Sequence, residues 1–461
     1  MWKNLLLVPV ALLVALLSLE DCLRRECVAE GRPCLLLERW ISRKTKDGAG
    51  KVQIGRPGTS AIVLFGALPL LATLLAKSIV FVLIVMGLLG LYGALRDGQV
   101  ARLLPRSAMF VALAGLAWLT FSSLHTFDGD PRVGQLLKIL SLVILGFGAA
   151  DVARNLPDDI RGRALDALSI GIAVSLVPAA VGCVIYYGKF WTLIHMIERA
   201  DPLSIFSSGM VAIAILTPLA VAHLVGRGRV WQAVLLAVAC AAMAVLTSSN
   251  AAVVGFVVMA LLAPLLWKFP RVMPRLVMVG CVVGFVLVPA GLATMFGADV
   301  RAAVPDFEQS RQTDPDGFRG SMGHRYYIWR FAVARAIERP LAGWGLDTSQ
   351  DIPGGHVNIA IGKELMPLHP HNATLQLWLE LGIPGLLIAA AIFWVIMVSR
   401  FGGPESAVEV YVKPLTLTVM FVCMNTTYGI WQTWWLSLLA LSLAALFLSC
   451  RQRDDKTGGA G

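Results

Sequence analysis

An all-α polytopic membrane protein with about twelve transmembrane helices is what the sequence predicts, from composition, the lengths of its apolar runs and the charge of the loops between them. Of 461 residues, 57% are hydrophobic and 15% charged, with a mean hydropathy of +0.73; a soluble domain carries about 25% charged residues. Crossing the hydrocarbon takes about 20 apolar residues in a helix, and only helices or closed barrels satisfy their backbone there. Such runs lie near 60–76, 78–96, 107–123, 135–153, 165–187, 206–225, 230–246, 249–267, 273–295, 373–399, 409–427 and 431–449. The stretch from Leu5 to Leu19 is apolar but short, and Glu20, Asp21, Arg24, Arg25 and Glu26 follow it. It fits a signal-type core or an interfacial segment better than a span.

Loop charge tests this register, because cytoplasmic loops carry the excess of Lys and Arg. One alternate set reads RKTKDGAGKVQIGRP, RDGQVARLLPR, RNLPDDIRGR, GRGR, KFPR and the tail RQRDDK. The other reads HTFDGDPR, GKFWTLIHMIERADPLS, TSSN and a long connection from Gly297 to Pro370. The first set is therefore cytoplasmic and the long connection faces out. The formal charge of +10 reports orientation here and gives no reason to expect nucleic acid. The organisation expected is an N-terminal segment (1–58), nine helices (59–296), an outer loop domain (297–372), three further helices (373–450) and a disordered cytoplasmic tail (451–461).

Long connections in compact proteins tend to be functional or disordered, and this one reads as folded. In HRYYIWRFAVARAIERP, Tyr327, Phe331, Ala334 and Ile337 recur at three or four residues, as one face of an amphipathic helix does. Cysteines point to no site: no C-x-x-C pair occurs, Cys183, Cys240, Cys281, Cys423 and Cys450 lie in or at the end of apolar runs, and Cys22, Cys27 and Cys34 lack zinc or redox spacing.

The chemistry concentrates in PLHPHNATLQLWLELGIPGLL, Pro367 to Leu387, where the long connection meets the tenth run. Pro370 biases its predecessor away from helix and Asn372 is a favoured N-cap, so His371 is expected at a helix entrance on the outer edge of the membrane. Gly382, Pro384 and Gly385 predict a kink that admits a close neighbour. His371, Asn372, Gly382 and Gly385 resemble the His-Asn, nine residues, Gly-x-x-Gly pattern of O-antigen ligases. The wider run, with Glu380 and LGIPG, is similar to the domain those ligases share with O-antigen polymerases and bacterial O-linked oligosaccharyltransferases. RYYIWRFAVARAIERPLAGWG, from Arg325 to Gly345, resembles the family's Arg, Ile-Trp and Pro-x-x-Gly-x-Gly.

That resemblance implies a GT-C-like enzyme of the Gram-negative inner membrane, metal-independent and inverting, without a cofactor. It would move a glycan from an undecaprenyl diphosphate donor to a lipid A core acceptor on the periplasmic side, among membrane lipids. The leaving diphosphate departs without a proton and needs cations, for which the forked guanidinium suits paired phosphate oxygens. The acceptor hydroxyl needs a base, and a histidine of pKa near about 6.5 is poised for that. His371 takes this role, with His369 able to share or replace it and His324 and His356 as weaker alternatives. Arg325 and Arg199 are the leading diphosphate residues by resemblance. The family often follows the second with Phe and an Asn-containing run, from which ERADPLSIFSSGM departs. Arg301, Arg311, Arg319 and Arg330 are further candidates, and Asn372 is a candidate substrate contact.

Lys138 falls about one turn inside its span, where an ionisable group marks a functional site or snorkels to the interface. Glu380, at about 100° per residue, faces away from His371 and calls for a structural partner. Asp128-Gly-Asp130 and Asp314-Pro-Asp316 resemble paired metal-binding acids, although such pairs are common in solvated turns. The rivals are a polymerase or protein O-oligosaccharyltransferase with the same donor, and a lipid-linked glycan transporter. A transporter would carry charges within several spans and paired broken helices. The sequence has few of either.

Overall fold

Long apolar runs punctuated by short basic or polar links leave the chain one economical solution, a bundle of helices that satisfy their own backbone. The computed structural model describes residues 57–99, 106–187, 202–296, 321–360, 363–399 and 406–449. Its helices are α1 (Pro57–Leu74), α2 (Ile79–Arg96), α3 (Arg106–Leu124), α4 (Val133–Asn155), α5 (Asp158–Tyr187), α6 (Ser207–Gly226), α7 (Val230–Leu246), α8 (Asn250–Lys268) and α9 (Met273–Phe296). After these come α10 (Ser321–Glu338), α11 (Ala373–Val398), α12 (Lys413–Met424) and α13 (Thr433–Leu448). The protein is all-α and multi-pass in character. Among the described residues seven helices (α2, α4, α5, α6, α8, α9 and α11) are long and apolar enough to cross a membrane, and α1, α3, α7 and α13 are shorter apolar helices.

Each apolar run of the sequence overlaps a helix, seven of these among the described residues being long and apolar enough to span where about twelve spans were expected, and two ends differ instructively. α5 begins at Asp158, because the polar turn after Pro157 is helical as well and its acidic Asp158 and Asp159 suit a helix start. α12 ends at Met424, and Asn425–Gln432 forms a turn before α13. A single π turn, Val408–Val412, precedes α12.

The expected helix of the long connection is α10. Ile328, Phe331, Ala332 and Ala336 are buried on it, and it packs on α9 and α11. Beyond it a two-stranded antiparallel hairpin, β1 (Asn358–Ala360) and β2 (Lys363–Glu364), returns the chain toward α11.

α11 is broken. Gly382 has φ 68° and ψ −172°, outside every helical region and open in practice to glycine alone. The break strips three carbonyls of helical partners, and other segments supply replacements. The Leu379 carbonyl accepts from Trp344 N–H (3.0 Å), the Glu380 carbonyl from Gly345 N–H (2.9 Å) and the Leu381 carbonyl from the Trp118 indole (2.8 Å). Ile383 N–H in turn donates to the Pro340 carbonyl at 2.8 Å. The Pro340-x-x-Gly343-x-Gly345 and Gly382-x-x-Gly385 patterns are thus two halves of one joint. Gly343 is at φ 70°, and a Cβ there would lie 2.3 Å from the Glu380 carbonyl oxygen.

Candidate active site

The site is assembled at the start of α11, within the compact unit Ala61–Gly461. Asn372 caps the helix, its side-chain oxygen accepting from Leu375 N–H at 2.9 Å and from the Thr374 hydroxyl at 3.0 Å. That capping occupies the oxygen a substrate would otherwise find. His371, immediately before the cap, sits at φ 56°, a left-handed conformation uncommon outside glycine. Strain of this kind persists only where neighbours hold it, and here they do. The Trp329 indole donates to the Pro370 carbonyl at 2.8 Å, fixing the strained residue's predecessor to α10.

His371 Nδ1 lies 2.5 Å from the Thr427 carbonyl oxygen. A carbonyl only accepts, so Nδ1 carries the proton and Nε2 holds the lone pair. Among the described residues Nε2 has no hydrogen-bond partner. Burial lowers the imidazole's pKa from its ordinary value. The Thr427 contact opposes that shift, and nearby Arg325 and His324 reinforce it. A neutral base with one free nitrogen is the consequence.

Arg325 reaches the same turn from α10, Nη1 donating to the Thr426 carbonyl at 2.6 Å. Its other N–H groups have no hydrogen-bond partner among the described residues. Burial lowers its pKa, while Tyr428 nearby raises it. One half-buried cation therefore faces the histidine across two consecutive peptide carbonyls.

His369 is placed differently. It is buried, accepting from His371 N–H at Nδ1 (3.2 Å) and facing Gly429 N–H (3.1 Å) and the Gln432 amide (3.3 Å) at Nε2. A ring surrounded by donors has no room for a second proton, and burial first, then His371 and Arg325, push its pKa down to about 3. Its geometry suits a brace for the turn better than a proton carrier.

The remaining sequence candidates divide by position. Arg330 is half-buried on α10 with no hydrogen bond or ion pair among the described residues. Lys138 is exposed near the start of α4. Its charge is felt at Asp347, whose pKa burial raises while Lys138 and Arg132 pull it back. His324 contacts the Glu364 carbonyl (2.7 Å) and His356 the Glu364 carboxylate (2.9 Å). Asp128 and Asp130 share the guanidinium of Arg132, at 2.7 and 3.0 Å, and Arg132 also reaches Asp351 at 2.9 Å. Arg199, Arg301, Arg311, Arg319, Asp314 and Asp316 lie outside the described residues.

Glu380 has the structural partners its cost demands. It is fully buried and accepts from Trp431 Nε1 (2.5 Å), Asp347 N–H (2.7 Å), Gln376 Nε2 (2.9 Å) and the Ser349 hydroxyl. Gln376 also accepts from Ile430 N–H at 3.0 Å. The carboxylate thus ties the long connection and α11 to the turn that orients His371 and Arg325.

That turn is what sequence reasoning missed. Asn425 Oδ1 accepts from Thr374 N–H (3.1 Å) and shares with Asn372 Oδ1 the one hydrogen of the Thr374 hydroxyl (2.9 Å), seating the turn on the start of α11. The available signal was the polar string Asn-Thr-Thr-Tyr-Gly between two apolar runs, a turn signature. The expected run 409–427 took in its first three residues, and its working groups are main-chain carbonyls, which no side-chain pattern reports.

A family model described as O-antigen ligase matches residues 235–390, which take in α10, the broken part of α11 and His371. The resemblance is to the O-antigen ligase superfamily. Relatives agree over a longer stretch. A protein of Rickettsia conorii, provisionally named a polysaccharide ligase, is 23% identical over 338 residues, 72% of this chain and 78% of its own. Its similarly named counterpart in Rickettsia felis is 23% identical over 325 residues, 70% and 75%. That of Rickettsia bellii is 21% identical over 328 residues, 69% and 75%. No solved structure matches the chain. Family and relatives together support a membrane enzyme of the general O-antigen ligase or polymerase type.

Proposed function

We propose that this protein is an O-antigen ligase with a core of twelve spans in the Gram-negative inner membrane. It transfers O-polysaccharide from undecaprenyl diphosphate to a lipid A core sugar on the periplasmic face. The observation that carries the reading is the pairing of His371, its Nδ1–H committed and its Nε2 free, with the Arg325 guanidinium on adjacent carbonyls of one turn. His371 Nε2 takes the proton of the acceptor hydroxyl as its oxygen attacks the anomeric carbon. The bond from that carbon to the diphosphate oxygen breaks and its electron pair leaves with the diphosphate, which Arg325 holds. The imidazolium then returns its proton to water. Base and leaving group act from opposite sides of the sugar, so the anomeric configuration inverts, and no step calls for a metal. Arg199, Arg301, Arg319, Arg330 and Lys138 are further contacts for the donor in this scheme.

Transfer by the purified full-length protein, given a polyprenyl diphosphate glycan and one of three acceptors, tests the reading. Lipid A core is expected to be glycosylated and the activity to survive exhaustive chelation. Extension of a growing glycan alone would identify a polymerase, and modification of a protein alone an oligosaccharyltransferase. Loss on chelation with rescue by Mg or Mn would overturn the metal-free scheme.

A second result concerns pH. The base must be neutral to act, and its pKa is held below the ordinary value, so the acid limb of kcat/KM is expected below about pH 6.5. Arg325→Gln removes one of the charges that lower it, so the limb should move to higher pH while donor use falls. A limb that stays in place in this variant would separate the arginine from the histidine.

A further inference from the structure

The joint at Gly382 draws a piece of the long connection below the outer ends of the helices it touches. The Trp118 indole that holds the Leu381 carbonyl lies six residues before the end of α3, about 9 Å down by helical rise. Ile383, whose N–H holds the Pro340 carbonyl, lies ten residues into α11, about 15 Å below its start. From there the chain climbs. Trp344 and Gly345 pair with Leu379 and Glu380, and Leu346 N–H reaches the Ser122 carbonyl, near the end of α3, at 3.2 Å.

The lowest part of this dip is apolar. Pro340, Leu341 and Ala342 are all exposed, Leu341 at 67%, and Ile383 and Leu387 just after the break in α11 are exposed as well. Its backbone suits hydrocarbon too, since Pro340 has no N–H, its carbonyl is taken by Ile383, and Gly343 N–H donates to the Arg339 carbonyl at 3.0 Å. Arg339 borders the tip. Its exposed guanidinium lies over the Trp344 ring, 4.4 Å from the centroid, with no hydrogen bond or ion pair among the described residues. Arg335, one turn back, is by contrast bound to Glu338 at 3.0 Å. A cation seated on an aromatic face at the rim of an apolar tip matches a lipid phosphate whose acyl chains cover that tip.

We infer that residues 339–342 form a re-entrant wedge that binds a glycerophospholipid of the outer leaflet, Leu341 lying among its acyl chains and Arg339 on its headgroup phosphate. The inference rests on the reading of α3 and α11 as spans whose Leu124 and Ala373 ends face out. α10 carries Arg325 near its start and the wedge beyond its end, so a lipid held here sets the height of the site over the bilayer.

Full-length protein in phospholipid nanodiscs, with a bimane label on Leu341→Cys or on Gln350→Cys and read against the labelled background of the unaltered protein, tests the depth. Both positions are exposed, so neither change disturbs packing. Brominated acyl chains should quench the label in Leu341→Cys and spare that in Gln350→Cys, while aqueous iodide does the reverse. Equal iodide quenching at the two positions would overturn the inference and leave the outward topology intact. Acyl-chain quenching at both would overturn that topology and the inference with it. In detergent, titration with brominated phosphatidylglycerol reads the headgroup. Adding Arg339→Gln to the labelled Leu341→Cys protein should raise the quenching midpoint about fivefold, one cation near a lipid surface being of that order. An unchanged midpoint would overturn the phosphate contact. Displacement of the quencher by stoichiometric undecaprenyl diphosphate would make the glycan-carrying lipid the occupant and overturn the phospholipid assignment.

Discussion

His371→Ala is expected to reduce glycan transfer by about a hundredfold to ten-thousandfold, the range over which a positioned general base contributes. The fold should survive. Alanine suits φ 56° less well than histidine, but that cost is small beside the bonds that hold the segment, and the Trp329 to Pro370 bond and the Asn372 cap do not involve the imidazole. Donor binding should also persist, because Arg325 hangs from the Thr426 carbonyl while His371 uses that of Thr427. A single-turnover rate measured at saturating donor isolates the chemical step. Near-normal transfer would remove His371 from the mechanism. His369→Ala makes the contrast, since it disturbs a brace and should act on thermal stability together with activity.

Gly382→Ala is expected to have the largest effect on stability. The substitution forces a side chain onto φ 68°, ψ −172°, a strain of about 1–3 kcal/mol by itself. A Cβ there would also lie 2.0 Å from the Leu341 carbonyl oxygen. Backbone must shift to admit it, and with it the bonds from Trp344, Gly345 and Trp118 that cover the exposed carbonyls. The loss should exceed about 3 kcal/mol, read as a lowered unfolding temperature in detergent and a reduced yield in the membrane. An unchanged melting temperature would show that the break is tolerant and that its glycine serves another end. Gly343→Ala meets the same joint from the other side and should fail in the same way.

Those two substitutions mark where the sequence was readable. Helices were legible because apolar length is an unambiguous demand in lipid, and their ends strayed only where helix and apolar run are different things, as at Asp158. The entrance at His371 was legible through Pro370 and Asn372, whose local preferences need no tertiary partner. Glu380 declared its cost but not its creditors, Trp431, Ser349 and Asp347, which are close only after folding. The kink at Gly382 could be read, whereas its partnership with Gly343 and Gly345 could not, because N–H and C=O groups are the same at every position of the chain. The turn at Thr426 and Thr427 was hidden for the same reason.

The joint at Gly382 bears on how such a chain is built. Bare carbonyls are costly in hydrocarbon, so a broken helix is a hazard for any segment that enters a bilayer alone. Here the N–H donors of Trp344 and Gly345 and the indole of Trp118 all precede the break in the chain, so during synthesis the cover exists before the fault. Reversing that order, by circular permutation that places α11 ahead of the long connection, would leave the half-helix to wait unsealed in the membrane.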